Sequence, residues 1–300
     1  MHLAAIPLHS IAASEGRRYV EGSAVTTIEG KEMPTILRDD ICIYYEVKGE
    51  GPPIVLGHSF LCSGKMWSPQ IEPLARRNTV INIDLRGHGH SGVVDRRFDL
   101  YDLVEDVTAV LDHLEIDRAV WVGLSIGGMV ALRAAIRAQE RVSGLILLDT
   151  NASVEAMFEK AKYLAIVELA RLFGIAPLVP QIARMFFCSH TRRTNPTLVD
   201  EWKINFRLVP FTTVSNTVTA LMHRDSVVDQ LPSIQVPALV MVGENDDPTP
   251  PACAREISGA LSNASFVEVK NAGHLSNLEQ PGTVTSEMVA YLENQNWVKL

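Results

Sequence analysis

Short apolar runs alternate with longer stretches whose apolar residues recur at helical spacing over the first half of the chain. "ICIYYEVKG" from Ile41 alternates like a half-exposed strand. "PIVLG" from Pro53 and "TVINID" from Thr79 are continuous runs, which predict strands buried on both faces. Between Asp99 and Ile116, apolar residues at Leu100, Leu103, Val104, Val107, Val110, Leu111 and Leu114 mark one face of a helix. "AVWVGL" from Ala119 then predicts a strand, the residues after Ser125 a helix, and "GLILLD" from Gly144 another strand. A parallel strand pair needs a crossover connection, so this alternation predicts an α/β protein with a parallel sheet covered by helices on both faces.

The alternation then stops. Residues 151–231 contain no convincing strand, but carry helical stretches rich in Met, Phe and Leu: "VEAMFEKAKYLAIVELARLFG", "LVPQIARMFF", "LVDEWKINFRLV" and "TVSNTVTALMH". Strand patterns resume with "PALVMVG" and "SFVEVK". The reading is a core of residues 34–150 and 232–300, a helical cap of residues 151–231 inserted after the sixth strand, and an N-terminal extension of residues 1–33.

Composition narrows the functions. The net charge of −8 opposes contact with phosphate backbones, and no Lys/Arg cluster overrides it, so nucleic acid is not expected as a partner. No apolar run reaches the ~20 residues of a membrane span. Before the apolar opening of "MHLAAIPLHSIAAS" there is no Lys or Arg, and Pro7 and His9 interrupt it, which disfavours a secretory signal. Cys42, Cys62, Cys188 and Cys253 are scattered and read as buried thiols in a reducing, cytoplasmic setting.

One junction points to chemistry. "VWVGLSIGGMVALRAAI", Val120 to Ile136, changes from strand to helix at Ser125, which Gly123 and Gly127 flank. A sharp strand-to-helix turn lifts the side chain at its apex clear of the backbone and crowds the positions two residues away, where glycine is favoured. Gly-Leu-Ser-Ile-Gly is therefore a candidate nucleophile elbow, against the alternative of a tight turn with a serine cap. Serine becomes a nucleophile only when a base, usually a histidine oriented by a carboxylate, takes its proton. "VMVGENDDPTPP" places Asp246 just past a strand, and "VKNAGHLSNLEQP" places His274 just past the last one.

The order Ser125, Asp246, His274 is that of α/β-hydrolases. "DLRGHGHS", "GLSIGG", "GENDDPTPP" and "AGHLSNLEQP" resemble the characteristic segments of that superfamily, in order, from about Thr35 to Leu292. The resemblance is closest to the branch of 3-oxoadipate enol-lactonases and serine esterases, and it implies an α/β-hydrolase fold. The family's spacing from Gly243 and back from Thr249 selects Asp246, with Asp247 and Asp149 as competing acids. It also implies an oxyanion hole from the backbone N–H groups of Ile126 and Phe60. Ser59 stands where many relatives have glycine, which leaves the form of that loop open. His58 reads as a support of the loop. His88 and His90 have metal-like spacing, but lack a third ligand and match a structural turn.

The expected reaction is two-step acyl transfer by Ser125 on a small-molecule ester or lactone, with no metal and no organic cofactor. A Met-rich cap suits an adaptable apolar chamber, with Met157, Phe158, Met185, Phe186, Trp202 and Phe206 as candidate substrate contacts, although each is individually more often core. His223 and Arg224, ending a cap helix, read as surface residues or caps. The resemblance implies an enol-lactone or another bulky ester, with a macrolide lactone as one member of the class. Carbon–carbon bond hydrolysis and cofactor-free haloperoxidation use the same triad, and a small-molecule receptor can retain the same fold, so these stay open.

Overall fold

The computed structural model describes residues 18–20, 23–28, 31–155 and 157–295. Within the expected N-terminal extension, strands β1 (Arg18–Val20), β2 (Ser23–Ile28) and β3 (Lys31–Met33) pair antiparallel as a small sheet. The main sheet has eight strands: β4 (Thr35–Arg38), β5 (Ile41–Lys48), β6 (Pro53–Gly57), β7 (Thr79–Ile83), β8 (Ala119–Leu124), β9 (Val142–Leu148), β10 (Ala238–Gly243) and β11 (Ala264–Val269). Their spatial order is β11-β10-β9-β8-β6-β7-β5-β4. The pairs β4/β5 and β5/β7 are antiparallel and the others parallel.

The continuous apolar runs have a direct explanation in two cores. Val55, Trp121, Leu145, Leu147, Val240 and Val242 point into one, while Ile54, Leu56, Val120, Val122, Leu124, Ile146 and Met241 point into the other. Successive side chains on a strand face opposite ways, so burial on both faces requires an unbroken apolar sequence. Helices α2 (Leu100–His113) and α3 (Ile126–Arg137) pack in the first core. The second receives α1 (Ser68–Ala75), and α11 (Pro281–Asn294) from the end of the chain. Asp99 starts α2 through a capping box: its carboxylate accepts from the Tyr101 and Asp102 N–H groups, and Asp102 reciprocates to the Asp99 N–H. β5 departs from the half-exposed reading, because its first five residues are all buried and only Glu46, Val47 and Lys48 are exposed. The turn after β7 covers this part of the strand: the Gly92 N–H donates to Cys42 O at 2.8 Å, the Tyr44 N–H donates to Ser91 Oγ at 2.9 Å, and the Tyr44 ring packs edge-on against His90 at 4.8 Å.

After β9, the sixth strand of the main sheet, the described chain is helical until β10. It forms α4 (Met157–Phe173), α5 (Val179–Phe186), α6 (Ser189–Thr194), α7 (Pro196–Leu208) and α8 (Phe211–His223). Helices α9 (Pro251–Ala260) and α10 (Ser276–Glu279) follow β10 and β11. Among the described residues no helix is long and apolar enough to cross a membrane.

A buried ion pair fixes the turn after β7. Arg86 is fully buried and grips Asp106 of α2 bidentately, Nε to Oδ2 and Nη2 to Oδ1, both at 2.6 Å. Arg38 adds a third donor to Asp106 at 2.9 Å. Removing one charge strands the other away from water, so Asp106→Ala is expected to destabilise the fold by about 3–5 kcal/mol. Replacing Arg86 and Asp106 together by Met and Leu should cost much less, and urea unfolding of the single and double variants checks both outcomes.

Candidate active site

The elbow is built where three backbones nearly touch. A Cβ on Gly123 at the end of β8 would lie 2.1 Å from the Gly127 carbonyl carbon, and one on Gly127 would lie 2.2 Å from the Gly57 oxygen of β6. With that contact enforced, the chain turns from β8 into α3 through Ser125 at φ 57° and ψ −116°. A non-glycine residue is strained there. The turn is pinned from both sides: the Ser125 N–H donates to Leu148 O at 2.9 Å, and Thr150 Oγ1 donates to Ser125 O at 2.7 Å.

Ser125 and His274 line one cavity. Behind His274 lies Asp246, whose Oδ1 is 3.0 Å from His274 Nδ1. A carboxylate oxygen only accepts, so Nδ1 carries the proton, and in the neutral ring Nε2 is left as the acceptor. Asp246 is itself held by Thr249, through the backbone N–H to Oδ1 at 3.0 Å and the hydroxyl to Oδ2 at 2.7 Å. Thr249 Oγ1 is also 3.2 Å from His274 Nδ1.

The competing acids have other surroundings. Asp247 is exposed. Asp149 is fully buried and bonds not to His274 but to the Gly243 N–H at 2.7 Å and to the Ser276 hydroxyl. Burial, then the charge of Asp246, pushes Asp149 well above the usual carboxylate range. It ties the end of β9 to β10 and to the start of α10. Glu279 fixes the histidine loop to the helical block by accepting from the Gly273 N–H at 2.7 Å and the Cys188 N–H at 2.9 Å.

The loop after β6 brings Phe60 to the same cavity. Neither the Phe60 nor the Ile126 N–H donates to another described residue, and Ile126 is the first residue of α3, where helix N–H groups lack intrahelical partners. Ser59 does not occupy the left-handed region; Leu61 does, with φ 62°. The turn therefore needs no glycine at position 59. His58 holds the loop from beneath: Nδ1 lies 2.8 Å from Ser59 O, and Nε2 accepts the Leu85 N–H at 2.9 Å. His88 is buried against His58 and Phe60, with ring centroids 5.1 Å and 6.2 Å away. His90 is instead half-exposed beside the Asp84 carboxylate, so the two imidazoles do not share a ligand position.

Met185 and Phe186 line the cavity, and the Phe186 ring lies 5.1 Å from the His274 ring. Trp202 and Phe206 do not reach it. They are buried between α7 and α5, where Phe206 packs edge-on against Phe186 at 5.5 Å. The side chains of Met157 and Phe158 lie outside the described residues. His223 is exposed at the end of α8, in keeping with the sequence reading. Arg224 is the C-cap of α8 and donates to Leu221 O at 2.9 Å, in keeping with the cap reading, but it is not a surface residue: the guanidinium is buried, pairs with Glu155 at 2.7 Å and lines the cavity. Nothing in the local pattern "LMHRDS" distinguishes this arginine from a helix-end cation, because its carboxylate partner lies at the other end of the helical segment.

The match to the alpha/beta hydrolase family spans residues 54–287, and the chain belongs to that family. It stands near the enol-lactonase branch. It is 28% identical over 264 residues to 3-oxoadipate enol-lactonase 2 of Acinetobacter baylyi, covering 87% of this chain and 97% of that one. A solved enol-lactonase from Burkholderia xenovorans superposes with a TM-score of 0.82 at 28% identity, over 87% of this chain and all of that one. A thermophilic esterase from Thermogutta terrifontis gives 0.81 at 29% identity, over 90% and 96% of the two chains.

Two outcomes test this construction. Gly123→Ala is expected to lower stability by upwards of about 3 kcal/mol, read from urea midpoints, because its Cβ meets backbone that cannot move aside. Burial, then the neighbouring His58, lowers His88 to about 3. The unfolded imidazole titrates near ~6.5, so the unfolded state binds the proton first, and the His88 contribution is full above that value and lost as pH falls toward the folded one. Urea midpoints measured from about pH 7 down to about pH 4 should therefore fall, and fall less steeply in His88→Gln.

Proposed function

We propose that the chain is a serine-dependent carboxylic ester hydrolase that opens a lactone or cleaves an apolar ester through an acyl-enzyme. The carrying observation is the strained Ser125 elbow on the same cavity as His274, whose Nδ1 is bonded to Asp246. In this reading His274 Nε2 takes the Ser125 proton as Oγ attacks the carbonyl carbon. The N–H groups of Ile126 and Phe60 receive the negative charge that develops on the carbonyl oxygen. The same imidazole then protonates the leaving alcohol, and later removes a proton from the water that releases the acid. For a lactone, alcohol and acid stay in one molecule, so the product is the substrate plus one water.

The cavity wall supports an apolar substrate, with Met129, Ile166, Ile182, Met185, Phe186, Val214 and Leu221 in its lining. None of these steps calls for a metal or an organic cofactor. The free thiols of Cys42, Cys62, Cys188 and Cys253 suit the reducing cytoplasm as the working compartment.

Ser125→Ala is expected to lower kcat/KM for a chromogenic ester about ten-thousand-fold or more while leaving the thermal unfolding midpoint close to that of the parent chain. A variant that still turns over at a substantial fraction of the original rate contradicts the mechanism. Mass spectrometry of a panel of linear esters, small lactones and macrolides then identifies the substrate, since gain of one water mass without fragmentation marks ring opening.

A further inference from the structure

Apart from Ser125, Thr249 and His274, the polar side chains lining the cavity among the described residues are Asn151, Glu155, Tyr163 and Arg224. All four belong to the segment between β9 and β10. Two of them carry formal charges, and those two are locked together. Arg224 Nη1 donates to Glu155 Oε2 at 2.7 Å and to Leu221 O at 2.9 Å, and Nε donates to Ser153 O at 2.9 Å. The side-chain exposures are 1% for Arg224 and 14% for Glu155, so this is a pair set in the wall rather than a surface contact.

The neighbouring residue keeps it in place. Asp225 accepts Arg133 Nε and Nη2 at 3.1 and 2.8 Å and the Tyr101 hydroxyl at 2.6 Å, which anchors the chain just past Arg224 to α2 and α3. Arg224 therefore has little freedom to turn toward a ligand. Its remaining donors are those of Nη2, which has no hydrogen-bond partner among the described residues, and Glu155 retains the acceptor capacity of Oε1. On a wall that both residues line, the pair thus leaves one donor group and one acceptor oxygen unused, with no net charge.

We infer that the Arg224–Glu155 pair is a specificity element selecting esters or lactones that carry an uncharged donor–acceptor group, such as a hydroxyl or an amide, and discriminating against those that carry a carboxylate. The inference rests on the ester-hydrolase reading and narrows its substrate class. A hydroxyl can accept from Arg224 and donate to Glu155 together. A carboxylate can only accept, and it brings a second negative charge beside Glu155 in an apolar, weakly screening chamber. Replacing Glu155 by glutamine removes that repulsion and leaves the cation of Arg224 unneutralised.

The test uses nitrophenyl esters of matched chain length whose acyl chains end in methyl, hydroxyl or carboxylate, with the full-length chain and its Glu155→Gln variant. In the parent chain the hydroxyl-ended ester should match or exceed the methyl-ended one, and kcat/KM for the carboxylate-ended ester should be lower by at least about tenfold. In folded Glu155→Gln that deficit should shrink by about tenfold or more. Equal turnover of carboxylate- and hydroxyl-ended esters by the parent chain, or a deficit unmoved in folded Glu155→Gln, overturns the inference and leaves ester hydrolysis standing. Should the variant not fold, the parent chain's ranking of the three esters decides by itself. Failure to hydrolyse any of them, together with no fluorophosphonate labelling of Ser125, overturns the ester-hydrolase reading and this inference with it.

Discussion

Everything at the site follows from the contact between the backbones of Gly57, Gly123 and Gly127. A Cβ on Gly127 would stand 2.2 Å from the Gly57 oxygen, so a side chain there would push α3 away from β6. With α3 held against β6 and β8, the chain passes from strand to helix through Ser125 at positive φ, and the Ser125 side chain lines the cavity. Strain of this kind, about 1–3 kcal/mol, persists only where surrounding packing over-determines it. Here β9 and the residues just after it help to supply the packing: the Ser125 N–H donates to Leu148 O, and the Thr150 hydroxyl donates to Ser125 O.

The groups facing Ser125 are held by a second layer of buried hydrogen bonds. Asp246 is oriented by Thr249, and the loop bearing His274 is tied by Glu279 to the helical block and by Asp149, through Ser276, to the sheet. Burial first, and then the charge of Asp246, drives Asp149 toward the neutral acid. The structure thereby separates two aspartates that look alike in the sequence. One orients the imidazole, and the other braces the strand ends.

The sheet was largely legible in the sequence because burial on both faces leaves unbroken apolar runs, as in "AVWVGL" and "ALVMVG". The elbow was legible for a related reason: only glycines fit where backbones touch. β5 was misread, because its alternating letters include Cys42 and Tyr44, residues as well placed in a core as outside it. Among the candidate substrate contacts, periodicity identified apolar faces but not what they face, so Phe186 on the cavity and Phe206 behind it looked equivalent. At Arg224 the capping position was legible, but the burial was not. A cation at a helix end is ordinarily solvated, and only the fold shows Glu155 waiting for it across the helical block.

The central claim is that Ser125 Oγ meets a substrate carbonyl carbon, with His274 as its base and the N–H groups of Phe60 and Ile126 on the carbonyl oxygen. It is met most directly by a crystal structure of the chain after reaction with a fluorophosphonate, which mimics the tetrahedral intermediate. The account requires phosphorus bonded to Ser125 Oγ, its oxygen about 2.7–3.1 Å from both the Phe60 and Ile126 nitrogens, and His274 Nε2 turned toward Oγ. Phosphorus on another residue, or an adduct oxygen pointing away from both N–H groups, would contradict it.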